Sequence, residues 1–383
     1  MDETPDLHQA AGGTEKWRQL STAFYSRVER DPRIRRLFPG THFRCAIEEL
    51  TAFLTQFFGG PGSDTQFRWW LSLRESHERF RIRQEDRAAW LENMAQALDD
   101  IQLEAPLRSA LRELFERSSA YVVNSGEPVA VAADLNGPPA DSIRGEIARR
   151  WEGQCGVDEA VAAVRNGEAG RAVALAESLR NGFPGNRSVF AKLLSVMMGS
   201  RDATMLTYVR ERITDDPALV RERYASRTLL HEAAAQGNPE MVEFLLRLGA
   251  DANGGGVHPP LYCVANECGG AGGGEVVRAL VRGGANVNDN RGVKRCTALH
   301  MAARRGSVEI AEAILDCGAG IEARDSLGET ALRRAVNCNK IQVAEFLVAR
   351  GADAHSIGSK GLTPLLAARS VAMKEILRTK SKS

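Results

Sequence analysis

The feature that most constrains this chain is a frame that keeps returning in its C-terminal part. Thr228-Leu229-Leu230-His231-Glu232-Ala233-Ala234 leads into Gly237-Asn238, Val242, Leu245-Leu246 and Gly249-Ala250-Asp251. The frame restarts at Pro259-Pro260-Leu261-Tyr262, Thr297-Ala298-Leu299-His300-Met301-Ala302-Ala303, Thr330-Ala331-Leu332 and Thr363-Pro364-Leu365. The last three starts lie 33 residues apart, and the gap of 38 from Pro259 to Thr297 is explained by the glycine-rich insertion Gly269 to Gly274. A unit this short cannot bury its own apolar face, so its stability has to come from stacking on its neighbours.

The chemistry of each position follows from that requirement. The threonine caps a first helix through its side-chain oxygen, and the paired alanines let adjacent units approach closely. Gly249, Gly284, Gly318 and Gly351 supply the left-handed residue that ends a second helix. His231 and His300, inside the frame, are expected to hydrogen-bond between units. A turn plus two antiparallel helices at this period resembles the ankyrin repeat, which implies a protein-binding surface with no target named. Residues 146–225 are less regular. Val161, Val164, Gly167, Val173 and Leu179 suggest one helix pair, and Phe190 to Val209, turning at Gly199-Ser200, another. Both read as divergent ankyrin-like units or capping helices.

The N-terminal part has different habits. Four of five tryptophans and nine of thirteen phenylalanines precede residue 116. Trp17, Leu20, Phe24 and Val28 recur at helical steps, with Asp31-Pro32 as the break. Phe43, Ala46, Ile47, Leu50, Phe53, Leu54 and Phe57 form a second stripe, ended by Gly59-Gly60-Pro61. Trp90, Leu91, Met94, Leu98 and Ile101 form a third, and Leu107, Leu111, Leu114, Phe115 and Val122 a fourth. Gly126 to Asp141, with three prolines and no sustained period, has the composition of a linker.

Net charge is +1, from 50 Lys+Arg against 49 Asp+Glu, without the basic bias that nucleic-acid or anionic-membrane binding favours. Neither partner is expected. No apolar run approaches the ~18 residues of a membrane span, and Met1-Asp2-Glu3 is acidic where a secretory signal is basic. The seven cysteines are scattered, with no CxxC and no CxxCH, which reads as free thiols in a reducing compartment. A soluble cytoplasmic protein is the expectation.

Of seven histidines, His258 and His355 fall in loops and His8 in a terminus expected to be mobile, which leaves His42 and His77 as metal-ligand candidates. His42 is expected to face solvent at a helix start. His77 sits in Leu73-Arg74-Glu75-Ser76-His77-Glu78-Arg79-Phe80-Arg81-Ile82, which resembles the proximal segment of truncated haemoglobins, a histidine followed by x-x-Phe-x-Ile. Agreement runs through the half: Gly12-Gly13, Phe24-Tyr25, Phe38-Pro39, Gly59-Gly60-Pro61, Val123-Asn124, and Trp90-Leu91, which marks the family's second group. The chain departs from the pattern at Ser76, where a basic residue is frequent, at Trp69-Trp70 in place of Gly-His, and at Asp64 in place of an aromatic.

The resemblance implies a haem b (iron protoporphyrin IX) held non-covalently, with His77 as iron ligand from the proximal side. It implies Tyr25 and Trp90 as distal hydrogen-bond donors toward a bound diatomic gas, dioxygen among them, which slow its release. Ala46 stands where many globins place a distal histidine, with Leu50 beside it. Phe38, Phe53, Phe80, Ile82 and Met94 would pack on the porphyrin, and Arg74, Arg79 or Arg81 would supply the propionate contacts that the departures leave open. Without the resemblance, Tyr25 and Trp90 also read as core aromatics with satisfied polar tips, and Cys45 as a buried inert thiol.

The expected fold class is all-α, an N-terminal truncated globin (a helical sandwich) followed by an ankyrin-repeat α-solenoid. Expected boundaries are 1–127 for the globin domain, 128–145 for a flexible linker, 146–225 for divergent or capping helices and 226–383 for the repeats. The function expected is reversible binding of a diatomic ligand, coupled to a protein partner through the repeats, as in a gas or redox sensor. Two alternatives stand beside it. One is a haem-dependent redox enzyme, a nitric-oxide dioxygenase or peroxidase, served by a separate reductase. The other is a haem-free ankyrin scaffold.

Overall fold

The computed structural model describes residues 6–38, 40, 42–60, 72–126, 143–182, 187–224, 226–256, 258–358 and 361–379. Pro39, Pro61, Asp64, Trp69-Trp70 and residues 128–142 of the expected 128–145 linker lie outside the described residues. The chain divides into two compact units between Leu193 and Leu194. As expected, helices make up the regular structure among the described residues. No helix there is long and apolar enough to cross a membrane.

The first unit contains α1 (Leu7–Ala10), α2 (Gly13–Val28), α3 (Pro32–Arg35), α4 (Arg44–Phe57), α5 (Leu73–His77), α6 (Gln84–Asp100), α7 (Ala105–Tyr121), α8 (Ile143–Arg165) and α9 (Ala169–Gly182). Gly12 and Gly13 take φ of 98° and 74°. This left-handed pair carries no Cβ to resist it, so α1 can turn directly into α2. The α2 stripe Trp17, Leu20, Phe24 and Val28 is fully buried against Leu54 and Phe58, Met94 and Leu98, and Leu107, Leu111 and Phe115. Asp31 accepts from the Arg33 backbone N–H at 3.0 Å and so caps α3, where Pro32 has no N–H to satisfy. His8, expected in a mobile terminus, is instead buried and accepts from Trp17 Nε1 at 3.2 Å.

The region expected as divergent repeats divides between the units. The turn at Gly167 separates α8 from α9, and α8 packs on α7. Its Ile147 and Trp151 join the core of the first unit, and Trp151 meets the Tyr121 ring edge-on at 5.4 Å. Burial of Val157, Ala160, Val161 and Val164 as well makes α8 apolar on more than one side, as a helix covered by two neighbours must be. It begins at Ile143, inside the span expected as linker.

The second unit holds α11 (Ala203–Asp215), preceded by α10 (Arg187–Gly199), which crosses the boundary. Five helix pairs follow: α12 (Leu229–Ala235) with α13 (Pro239–Arg247), α14 (Pro260–Glu267) with α15 (Gly273–Arg282), α16 (Ala298–Arg305) with α17 (Val308–Asp316), α18 (Ala331–Asn337) with α19 (Ile341–Ala349), and α20 (Pro364–Ala367) with α21 (Val371–Thr379). First helices stack on first helices and second on second. Gly249, Gly284, Gly318 and Gly351 all have φ between 86° and 94°, the left-handed stop their position requires.

The frame histidines tie one repeat to the next. In α12 the Thr228 N–H donates to His231 Nδ1 at 3.1 Å, so the ring proton sits on Nε2, which reaches the His258 carbonyl at 3.0 Å. His300 repeats this with Thr297 at 3.2 Å and the Glu329 carbonyl at 3.0 Å. In the next repeat Arg333 stands in the histidine's place and donates to the Leu362 and Thr363 carbonyls at 3.0 and 2.7 Å. Leu366 occupies the same position in the Thr363 frame and is exposed.

This geometry sets a pH dependence. Burial, helped by the nearby Arg227 charge, pushes the His231 imidazole down to about 4 from its ordinary 6.5. The unfolded chain therefore takes up a proton between pH 6.5 and 4 that the folded chain refuses, and stability falls with pH across that window. One such group lowers stability by about 2 kcal/mol between neutrality and pH 5. His300 is shifted in the same direction by burial. Urea unfolding of the full chain at pH 7.5 and pH 5, beside His231→Gln, should show a shallower pH dependence in the variant. Identical dependence in both proteins would sink the assignment.

Candidate functional site

A cavity of about 720 Å³ opens in the first unit, within the size range of cofactor sites. Its walls come from α2 (Tyr25), the turn after α3 (Phe38), α4 (Ala46, Leu50, Phe53), α5 and the turn behind it (His77, Phe80, Ile82) and α6 (Trp90). These nine residues are singled out in the sequence, and the fold gathers them around one space. Met94 and Arg74 are placed elsewhere. Met94 is 1% exposed in the α2–α6 core, because its position on α6 turns inward toward Leu98 rather than toward the cavity. The Arg74 guanidinium lies 4.0 Å from the centre of the Tyr121 ring, a cation–π contact that turns it away. Arg79, over the Phe80 ring at 4.7 Å, lines the cavity instead.

The His77 ring is oriented by its own helix. Nδ1 lies 2.8 Å from the Leu73 carbonyl and 2.8 Å from Ser76 Oγ, while that hydroxyl donates to the same carbonyl at 2.7 Å. A carbonyl only accepts, so Nδ1 carries the proton and Nε2 keeps its lone pair. Burial pushes the imidazole toward its neutral form, partly offset by the Leu73 carbonyl. A neutral imidazole with the far nitrogen bonded to a backbone carbonyl is the arrangement that makes a ring a good metal ligand. Ser76, where the sequence departs from the pattern, is part of that bond.

The turn after His77 is held by Asn124. Its Nδ2 donates to the His77 and Phe80 carbonyls at 3.2 and 2.8 Å, and its Oδ1 accepts from the Ile82 N–H at 2.9 Å. The opposite wall is aromatic. Tyr25 stacks on Phe43 at 5.3 Å and meets Phe38 edge-on at 5.7 Å, and Trp90 lies against Phe24 at 5.2 Å and Phe115 at 5.7 Å. Burial, with Glu49 nearby, raises the Tyr25 phenol above its ordinary range, so it remains an O–H donor. Tyr25 and Trp90 both line the cavity and pack on the core. His42 and Cys45 are exposed and also line it. For Cys45 this corrects the expectation of a buried thiol, because α4 turns its first turn outward.

Several residues of the lining escaped sequence reasoning, Phe43, Phe115, Ser76 and Gln154 among them. Phe43, Phe115 and Ser76 carried only a periodicity or a departure as signal, and Gln154 of α8 carried none. The lining, which sets the His77 imidazole among the apolar and aromatic side chains of Phe38, Phe53, Phe80 and Ile82, fits the haem that the resemblance implies.

A family model for bacterial-like globins matches residues 6–124. Ankyrin-repeat models match residues 225–254, as one repeat, and 261–357, as three copies. The chain is similar to the group 2 truncated hemoglobin YjbI of Bacillus subtilis (strain 168), 35% identical over 127 residues that make up 33% of this chain and 96% of that protein. It is similar to two-on-two hemoglobin-3 of Arabidopsis thaliana, 27% identical over 118 residues, 30% of this chain and 67% of that protein. The repeats are similar to ankyrin repeat and SOCS box protein 16 of Homo sapiens, 36% identical over 154 residues, 37% of this chain but only 33% of that protein.

Proposed function

The chain belongs to the truncated haemoglobin family through its N-terminal domain and carries ankyrin repeats behind it, and from that premise we propose that it binds a diatomic gas reversibly at a haem b and docks a protein partner through the repeats. The observation that carries the reading is the His77 ring, turned by the Leu73 carbonyl so that its unprotonated nitrogen is left for the cavity. A haem, when bound, would supply an iron able to take a small ligand. His77 would hold the group, and Phe38, Phe53, Phe80 and Ile82 would exclude water from it. Tyr25 and Trp90 present O–H and N–H donors to the ligand, which carries partial negative charge. Ala46 leaves the space beside Leu50 narrow in side-chain bulk and open to a small gas.

The test uses the full-length chain reconstituted with haem. Ferric and ferrous spectra, with and without dioxygen and carbon monoxide, report uptake and ligation. Stopped-flow dissociation of dioxygen then reports the donors. A hydrogen bond to a charged acceptor is worth ~1.5–3 kcal/mol, so Tyr25→Phe and Trp90→Phe should each release dioxygen roughly tenfold faster or more. Unchanged rates in both variants return the two side chains to a packing role. A folded wild-type chain that takes up no haem overturns the proposal.

A further inference from the structure

We propose that Asp158 of α8, outside the segment matched to globins, is a positioning residue for His77. The inference rests on the reading of His77 as the haem ligand. The Asp158 carboxylate is 3% exposed. Its Oδ1 accepts from the Leu73 N–H at 2.9 Å and its Oδ2 from the Arg74 N–H at 3.0 Å, the first two backbone donors of α5. Gln154 Nε2, one turn earlier on α8, donates to Oδ1 at 2.8 Å, and Ser72 Oγ takes the next donor, the Glu75 N–H, at 3.1 Å.

Two facts make this more than an ordinary cap. The helix α5 has five residues, too few to hold itself together without outside contacts. And the residue whose N–H Asp158 grips, Leu73, is the one whose carbonyl orients the His77 ring. The carboxylate fixes the Leu73 backbone, and that backbone fixes the imidazole. Both bonds are charge-assisted and partly buried, which makes them the strong kind. The Arg165–Glu75 pair at 2.9 Å joins the same two helices, but Arg165 is largely exposed, where ion pairs contribute little. Elsewhere α8 also grips the end of α4, the helix that brings Ala46, Leu50 and Phe53 to the cavity, through Arg150 on the Phe57 carbonyl at 2.8 Å. The helix after the globin segment is therefore part of the ligand-holding frame.

The experiment compares full-length wild type with Asp158→Ala, Asp158→Asn and Arg165→Ala. In the haem-free chain, amide hydrogen exchange of the peptide covering residues 73–77 should accelerate tenfold or more in Asp158→Ala. It should accelerate less in Asp158→Asn, which keeps one acceptor oxygen, and stay unchanged in Arg165→Ala. In the ferrous haem-loaded chain, the iron–histidine stretching band in resonance Raman should shift or broaden in the same order. A folded Asp158→Ala with wild-type exchange and an unmoved band overturns the proposal. If that variant does not fold, wild-type exchange and an unmoved band in Asp158→Asn overturn it equally. A wild-type chain that takes up no haem defeats the functional reading alone, and the exchange rates of the haem-free variants still decide whether Asp158 anchors α5.

Discussion

A full-length chain carrying His77→Ala should fail to hold haem stoichiometrically and lose the sharp Soret band of the reconstituted wild type, while keeping its helical content. His77 is the imidazole with a lone pair free for the cavity, and its two Nδ1 contacts stay within α5. Losing them costs the fold about 1–2 kcal/mol, which a buried core of this size tolerates. Losing the imidazole nitrogen should weaken haem affinity by more than ~100-fold, since even the partners of metal ligands are worth 10–100-fold. Added imidazole, entering the space the ring leaves, should restore part of the band. Full colour in the alanine variant without added imidazole would move the ligand elsewhere, with His42 at the cavity mouth as the next candidate.

Trp151→Ala should destabilise the first unit by about 3–5 kcal/mol, the usual range for truncating a buried aromatic. Trp151 is 8% exposed, lies within the globin core beside Ile147 and meets Tyr121 edge-on. Its α8 neighbours Arg144 and Arg150 tie the same helix to Glu113 of α7 and to the Phe57 carbonyl. Thermal unfolding followed by far-ultraviolet circular dichroism reports the loss, with the globin transition moving down by roughly 10 °C. A transition within about 1 kcal/mol of wild type would mean that α8 rests on the globin unit without supporting it. For the same reason, a chain ended after residue 127 should unfold earlier than the same domain with α8 attached.

Sequence reasoning succeeded where structure depends on neighbours along the chain. Thr228, His231, the paired alanines and the closing glycine act within one repeat and its successor, so one frame shows what the next must do. His77, Phe80 and Ile82 lie within six residues of one another and meet the cavity together. Tyr25 and Trp90 were legible only through the family pattern, because periodicity alone cannot tell a core aromatic from one that lines a space. Met94 and Arg74 were misplaced for a related reason. Spacing assigns a residue to a helix, but rotation of that helix and the choice between rival partners, Tyr121 in the case of Arg74, settle where the side chain goes.

The chain by itself determined the all-helical class, the repeat period and the capping chemistry of the threonine-headed repeats, all of which rest on short-range geometry. Only the tertiary structure decided that α8 belongs with the globin core and that Asp158 grips α5. Those bonds join residues 84 and 85 positions apart, and the carboxylate that makes them sits in a helix whose pattern, on paper, matches any other buried helix. A contact of that range is set by which surfaces remain uncovered when the rest has packed, and local sequence carries no record of it.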